Sequence, residues 1–170
     1  MSNAFDFDRF PVLRTERLLL RCFRKEDAPA IFAVRCDYET IKYNSGTVYT
    51  SESEALDLIE RTLSRFSART SIYWAIVLTE GRVVGQVGFN CFDFTDHTAE
   101  VGFDLHRLYW RRGIMTEALS AILRFGFITM RLNRVGASLA AYNEFCHHLL
   151  LKLQFLQEGT QREQYFENGA

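Results

Sequence analysis

The sequence predicts an α/β (α+β) domain, a mixed and mostly antiparallel sheet flanked by helices. Three observations lead there. Apolar runs of strand length recur at 72–78, 83–89 and 99–105, separated by polar turns. A strong helical period follows over 115–130. A strand and a helix then come in succession, so the sheet combines hairpins with a crossover. With 170 residues, 48% of them hydrophobic and 24% charged, the chain can bury one core and is too apolar to stay disordered.

Leu18 to Phe23 reads as the first strand. Lys25-Glu26-Asp27 opens a helix that tolerates Pro29 in its first turn and continues through Ala30, Ile31, Ala33 and Val34. Ser51 and Glu54 form a capping box. Behind it Ala55, Ile59, Leu63 and Phe66 repeat at helical spacing, and this helix ends near Ala68. Glu80-Gly81-Arg82 turns strand Ile72–Leu78 into strand Val83–Phe89, and Thr95-Asp96-His97 precedes strand Ala99–Leu105. Met115, Leu119, Ile122, Leu123, Gly126, Phe127 and Met130 fall on one helix face. Val135 to Ala141 is the next strand. Asn143 to Leu153 is the last helix, with Phe145, Leu149 and Leu153 aligned, and Phe155 starts a final short strand. Two prolines, no repeat and no linker composition make residues 1–170 a single domain.

Bulk properties exclude several classes. The net charge of −1 lacks the basic excess of a nucleic-acid binder. No apolar run has membrane-span length, and Met1 to Phe10 is polar and acidic, so a cytoplasmic protein is expected. Cys22, Cys36, Cys91 and Cys146 contain no CxxC pair, and free buried thiols are expected. No metal site is expected. His147 and His148 are adjacent, point to different helix faces, and leave at least one exposed. Glu60, Arg61 and Arg65 read as a solvated helix face. Phe89, Phe92 and Phe94 read as core, or as the wall of a tunnel.

The chemically informative stretch runs from Leu105 to Glu117, where a strand ends, a loop follows and a strong helix begins. A helix N-terminus exposes unpaired N–H groups and a positive dipole end, which suit a phosphate. Gly113 permits close backbone approach. Arg107, Arg111 and Arg112 add positive charge, so a pyrophosphate cradle is expected, with a capped helix carrying solvated arginines as the plain alternative. Neither GxxxxGK[ST] nor GxGxxG occurs, which removes support for Walker and Rossmann nucleotide sites.

Tyr109-Trp110-Arg111-Arg112-Gly113-Ile114-Met115-Thr116-Glu117-Ala118-Leu119 resembles the acetyl-CoA loop of GNAT-family N-acetyltransferases, in the branch that holds the ribosomal-protein (alanine/serine) N-terminal acetyltransferases. Thr15-Glu16-Arg17-Leu18-Leu19-Leu20-Arg21 resembles that family's first strand. Val84-Gly85-Gln86-Val87-Gly88-Phe89 resembles its central hairpin, and Ala99-Glu100-Val101-Gly102-Phe103 the strand before the loop. Asn143, Lys152, Phe155, Glu158 and Gly159 match its C-terminal signature. The likeness runs from about Leu13 to Phe166. It departs at Met115, where a small residue is usual, at Cys146 in place of Ser, and at Gln154 in place of Gly. Family members usually continue into one more strand after the point where this chain ends. Either that strand is absent, or another segment or a second subunit of a homodimer completes the sheet.

The resemblance implies acetyl-CoA as cosubstrate, with no metal, and an amine acceptor. A protein or peptide N-terminus comes first and a small amine second; a CoA-binding protein without catalysis, or an interaction module with a vestigial pocket, is the contrasting reading. It assigns the backbone of Phe103, Asp104 and Leu105 to the pantetheine arm, and Arg111, Arg112, Gly113, Ile114, Met115 and Thr116 to the pyrophosphate. Asn143 either contacts the cofactor or is a plain N-cap, which needs the same residue type. Acetyl transfer needs a neutral amine and a proton for the leaving thiolate. An α-amine with a pKa of about 8 is partly neutral at pH 7, whereas a lysine amine at about 10.4 needs a stronger base. Glu100 is the candidate base. Cys146 is the candidate proton donor, or else a small apolar helix residue, and Tyr142 is a second donor.

Overall fold

The computed structural model describes residues 5–43 and 47–162. In chain order the elements are β1 (Leu13–Arg14), β2 (Leu18–Arg21), α1 (Ala28–Arg35), α2 (Tyr38–Ile41), α3 (Glu52–Ser67), β3 (Ile72–Leu78), β4 (Val83–Asp93), β5 (Thr98–Leu105), α4 (Ile114–Ile128), β6 (Arg134–Gly136) and α5 (Glu144–Lys152). Short 3-10 turns precede α1, at Lys25–Asp27, and α4, at Arg107–Tyr109. The six strands lie in sequence order, antiparallel throughout except for the parallel pair β5–β6 that the α4 crossover creates.

Alternation along the strands builds two cores. Leu18, Leu20, Trp74, Ile76, Val87, Phe89, Val101 and Leu105 point to one face, where Met115, Leu119 and Ile122 of α4 cover them. Ala75 and Val77 point to the other, against Ile31 of α1 and Ala55 and Ile59 of α3. Glu54 accepts from the backbone N–H of Ser51 at 3.0 Å, the capping box read in the sequence. Asp27 is buried because the Arg21 guanidinium holds it bidentately at 2.7 and 2.8 Å.

Several expectations are corrected. β1 and α2 are additional, each too short to carry a periodic signal. Phe127 stands 45% exposed, and Phe125 turns inward in its place to meet Phe5 and Trp74. The residues up to Phe10 are not merely polar: Phe7 is buried, and Phe5, Phe7 and Phe10 form an aromatic cluster with Phe66, Phe92 and Trp74. The four cysteines are free, but Cys36 and Cys91 are exposed and Cys22 and Cys146 half-buried. Phe155 to Arg162 form no strand; Phe155 packs against the core and Glu158 pairs with Arg134. Tyr165 and Phe166, the end of the family likeness, lie outside the described residues.

The strand expected over Val135–Ala141 stops at Gly136. Its ladder with β5 has three rungs, Thr98↔Arg134, Ala99↔Val135 and Glu100↔Gly136. Beyond Gly136 the chain leaves β5, and the second half of β5 has no strand neighbour on that side among the described residues. This divergence positions the site.

Candidate active site

His106 donates its N–H to the Val84 carbonyl at 2.8 Å, which sets the phase of the β4–β5 ladder. In an antiparallel pair the bonding residues alternate. Gly102 and Asp104 therefore turn their backbone groups toward β4. Val101, Phe103 and Leu105 turn theirs toward the opening left by β6. The indole N–H of Trp110 takes the Leu105 carbonyl at 2.7 Å, closing the top of the opening. The backbone of Asp104 is committed to β4, so of the three β5 residues expected to pair with a ligand through their backbone, Phe103 and Leu105 have the right phase and Asp104 does not.

The opening leads to the N-terminus of α4. Gly113 is the N-cap of that helix with φ +75°, and Arg111 two residues earlier has φ +60°. A left-handed conformation costs a non-glycine residue roughly 1–2 kcal/mol, and such backbone concentrates at functional sites. Left-handed residues in such turns cluster successive N–H groups into an anion-binding concavity, and the free amides and dipole of α4 adjoin it. A Cβ on Gly113 would meet only the Arg17 guanidinium, at 3.3 Å, so its positive φ rather than crowding by the protein calls for glycine. Arg111 lies over the Phe145 ring at 4.9 Å, joining the loop to α5 across the opening. The Arg107 guanidinium pairs with Asp37 at 3.0 Å.

The resulting cleft has a volume of about 250 Å³. From β5 it is lined by Phe103, Asp104 and Leu105, and from the loop and first turn of α4 by Arg111, Gly113, Ile114, Met115 and Thr116. Asn143 and Cys146 line it from α5. Arg112 does not line it; its guanidinium rests on the Tyr109 ring at 5.6 Å. Glu100 and Tyr142 also stand outside the lining. Glu100 is half-buried on the α1/α3 face of β5, opposite Asn90. Tyr142 is 64% exposed, with its ring 5.5 Å from that of Tyr43. Phe89, Phe92 and Phe94 lie in or beside the aromatic core and do not touch the cleft.

Asn143 is a true N-cap: its side chain accepts from the Cys146 N–H at 3.2 Å, and it is buried against the cleft at the same time. Burial pushes the Cys146 thiol up, the Asn143 contact works against this, and Asp104 adds to it, so the group is a protonated thiol at neutral pH. The side chain of Asp104 takes a structural part, accepting from Arg35 and Gln86 at 2.6 Å each. Beside Glu100, the Asn90 amide donates to the Tyr73 hydroxyl at 2.6 Å, and burial pushes that phenol up to about 12. His147 is half-buried and His148 exposed, with its Nδ1 2.7 Å from the Glu144 carbonyl.

The wall facing β5 was missed in the sequence. Glu39, Thr40 and Tyr43 line the cleft from α2 and the turn after it. The one local clue was Asp37, a helix N-cap that accepts from the Glu39 N–H at 3.1 Å. Tyr109, Trp110, Phe145 and Leu149 complete the lining; Leu149 lies one helical turn beyond both Phe145 and Cys146.

The donor set fits a long thiol-bearing chain ending in a diphosphate: β5 backbone with no strand partner on its cleft side among the described residues, along an apolar slot, then left-handed amides at a helix start. The sequence profile described as an acetyltransferase (GNAT) domain matches residues 17–155. The chain is 32% identical over 162 residues to the uncharacterized N-acetyltransferase YoaA of Bacillus subtilis, covering 95% of this chain and 92% of that one. It is 36% identical over 155 residues to the uncharacterized N-acetyltransferase p20 of Bacillus licheniformis, covering 89% and 85%. Its fold superposes with a TM-score of 0.84 on RimL, described as a ribosomal L7/L12 alpha-N-protein acetyltransferase in complex with coenzyme A, at 17% identity over 94% and 92% of the two chains. By its cleft, its fold and its profile, the chain belongs to the GNAT family of N-acetyltransferases.

Proposed function

We propose that the cleft binds acetyl-CoA and that the protein transfers the acetyl group to a primary amine, first of all the α-amine of a protein or peptide N-terminus. The observation that carries the first half is the β5–β6 divergence running straight into the left-handed turn at Gly113. Phe103 and Leu105 offer backbone partners to the pantetheine arm. The amides from Arg111 to Thr116 receive the diphosphate, with Arg111 adding charge. Bound there, the coenzyme supplies an activated acetyl thioester.

The chain's own groups move the protons. The Cys146 thiol, protonated at neutral pH, donates to the departing sulfur as the C–S bond breaks and the C–N bond forms. Tyr142 at the rim is the second donor. Glu100 takes the amine proton through a water, and the Phe103 N–H holds the developing oxyanion. An α-amine is partly neutral near pH 7 and asks little of that base. The ribosomal-protein acetyltransferases among the similar proteins support a protein N-terminus as acceptor.

The test is a transfer screen with free-thiol detection over peptides with free N-termini, polyamines and aminoglycosides. Turnover confined to peptides supports the reading. Turnover confined to small amines replaces the acceptor, and CoA binding without turnover on any acceptor replaces catalysis by binding. Glu100→Gln is expected to slow high-pKa amines more than α-amines, and equal slowing removes Glu100 as base.

A further inference from the structure

The turn at Gly113 is braced by residues about a hundred positions away. Glu117, in the first turn of α4, accepts from the Thr15 hydroxyl at 2.6 Å and the Arg17 N–H at 2.9 Å on one oxygen, and from Arg17 Nε at 2.6 Å on the other. Arg17 Nη1 then reaches past Gly113 and donates to the Arg112 carbonyl at 2.9 Å. One guanidinium thus spans the turn, tied to the carboxylate on its helix side and to the carbonyl on its loop side.

We propose that Thr15, Arg17 and Glu117 form a clamp that holds the Gly113 turn in its diphosphate-receiving shape, with Arg17 a positioning residue for the coenzyme. The proposal rests on reading the cleft as the CoA site. Its physical basis is the planar trans peptide between Arg112 and Gly113. Holding that carbonyl toward Arg17 fixes the Gly113 N–H on the opposite side. Without the tether the peptide plane is free to rotate and the amide loses its aim. The clamp also manages charge. An uncompensated Glu117 carboxylate would repel a diphosphate at the start of α4. The Thr15 and Arg17 donors outweigh the effect of burial and hold its acid below the usual carboxylate range, with its charge turned toward Arg17.

The test compares acetyl-CoA with S-acetyl-N-acetylcysteamine, a thioester that lacks the diphosphate. Arg17→Ala is expected to raise KM for acetyl-CoA about tenfold, the scale of one lost charge-assisted hydrogen bond, with kcat within about twofold. The same variant is expected to leave kcat/KM for the truncated thioester unchanged. Arg17→Lys restores the Glu117 pair without spanning to Arg112, so it is expected to rescue thermal stability but only part of the KM. Thr15→Val, which keeps the side-chain shape, is expected to shift KM the same way by a smaller factor, and carries the comparison if Arg17→Ala does not fold. Equal losses on both thioesters would make the triad a plain structural staple, and unchanged KM in every variant would remove the clamp. Wild-type protein that binds no coenzyme in calorimetry would overturn the site reading itself, and the clamp with it.

Discussion

Arg35 Nη1 donates to Asp104 Oδ2 at 2.6 Å, with both side chains nearly out of solvent, and so bolts α1 to the stretch of β5 that borders the cleft. The Gln86 amide donates to the same oxygen at 2.6 Å. A buried pair of this kind contributes little net stability, but losing one partner strands the other. Asp104→Ala is expected to destabilise by about 3–5 kcal/mol, a fall of roughly 10 °C in Tm. The double change Arg35→Met with Asp104→Leu is expected to recover most of that loss. Equal melting of single and double variants would show that the pair is not coupled.

Gly113 carries the second prediction. Gly113→Asp forces a side chain into φ +75° and sets a carboxylate beside the expected diphosphate. Backbone strain of about 1–2 kcal/mol and repulsion of about 1 kcal/mol together weaken CoA binding by roughly 30- to 100-fold. Calorimetric titration with CoA reads this directly, and an unchanged Kd would count against the cradle.

Cys146 distinguishes a proton donor from a packing residue. Its thiol is pushed up by burial, so iodoacetamide at pH 7.5 is expected to label Cys36 and Cys91 first, read by peptide mass spectrometry. Cys146→Ser is expected to retain turnover, while Cys146→Ala is expected to lower kcat by about 100-fold if the proton transfer matters. Full activity in the alanine variant passes the role to Tyr142, which Tyr142→Phe then tests.

Tyr73 sets an alkaline limit. Its folded pKa of about 12 lies above the ordinary phenol value of 10.0, because burial disfavours the phenolate. Between those values the unfolded chain has lost the proton and the native state keeps it, so stability falls as pH rises through 10. The expected loss by pH 11 is about 1 kcal/mol. Tyr73→Phe should remove that slope while leaving a constant offset from the unpaired Asn90 donor, and a slope identical in both proteins in urea titrations would refute the assignment.

The backbone of Gln154 has φ +66° at the end of α5. A left-handed residue after a helix favours glycine. Gln154→Gly is expected to relieve about 1 kcal/mol of strain, less what the more flexible unfolded chain regains, for a rise of roughly 2 °C in Tm. A lowered Tm would mean that the Gln154 side chain contributes contacts that outweigh its backbone strain.

The elements that bury a wide periodic face could be read from the amino acids alone. α3 and α4 carry their apolar stripes in local order, Ser51 and Glu54 announce their cap, and Ile72–Leu78 with Val83–Phe89 announce a hairpin, because each signal lies within one turn or one strand. The loop around Gly113 could be read for the same reason: glycine, arginines and a helix start are contiguous. The α2 wall, the aromatic cluster of Phe5, Phe7 and Phe10, and the bracing of Gly113 by Arg17 could not. Their partners are distant in sequence, and short elements have no period. The cleft itself was decided only in three dimensions. It exists because β6 leaves β5 after Gly136, and the ladder phase set by His106 and Val84 then determines which backbone groups of β5 face the gap.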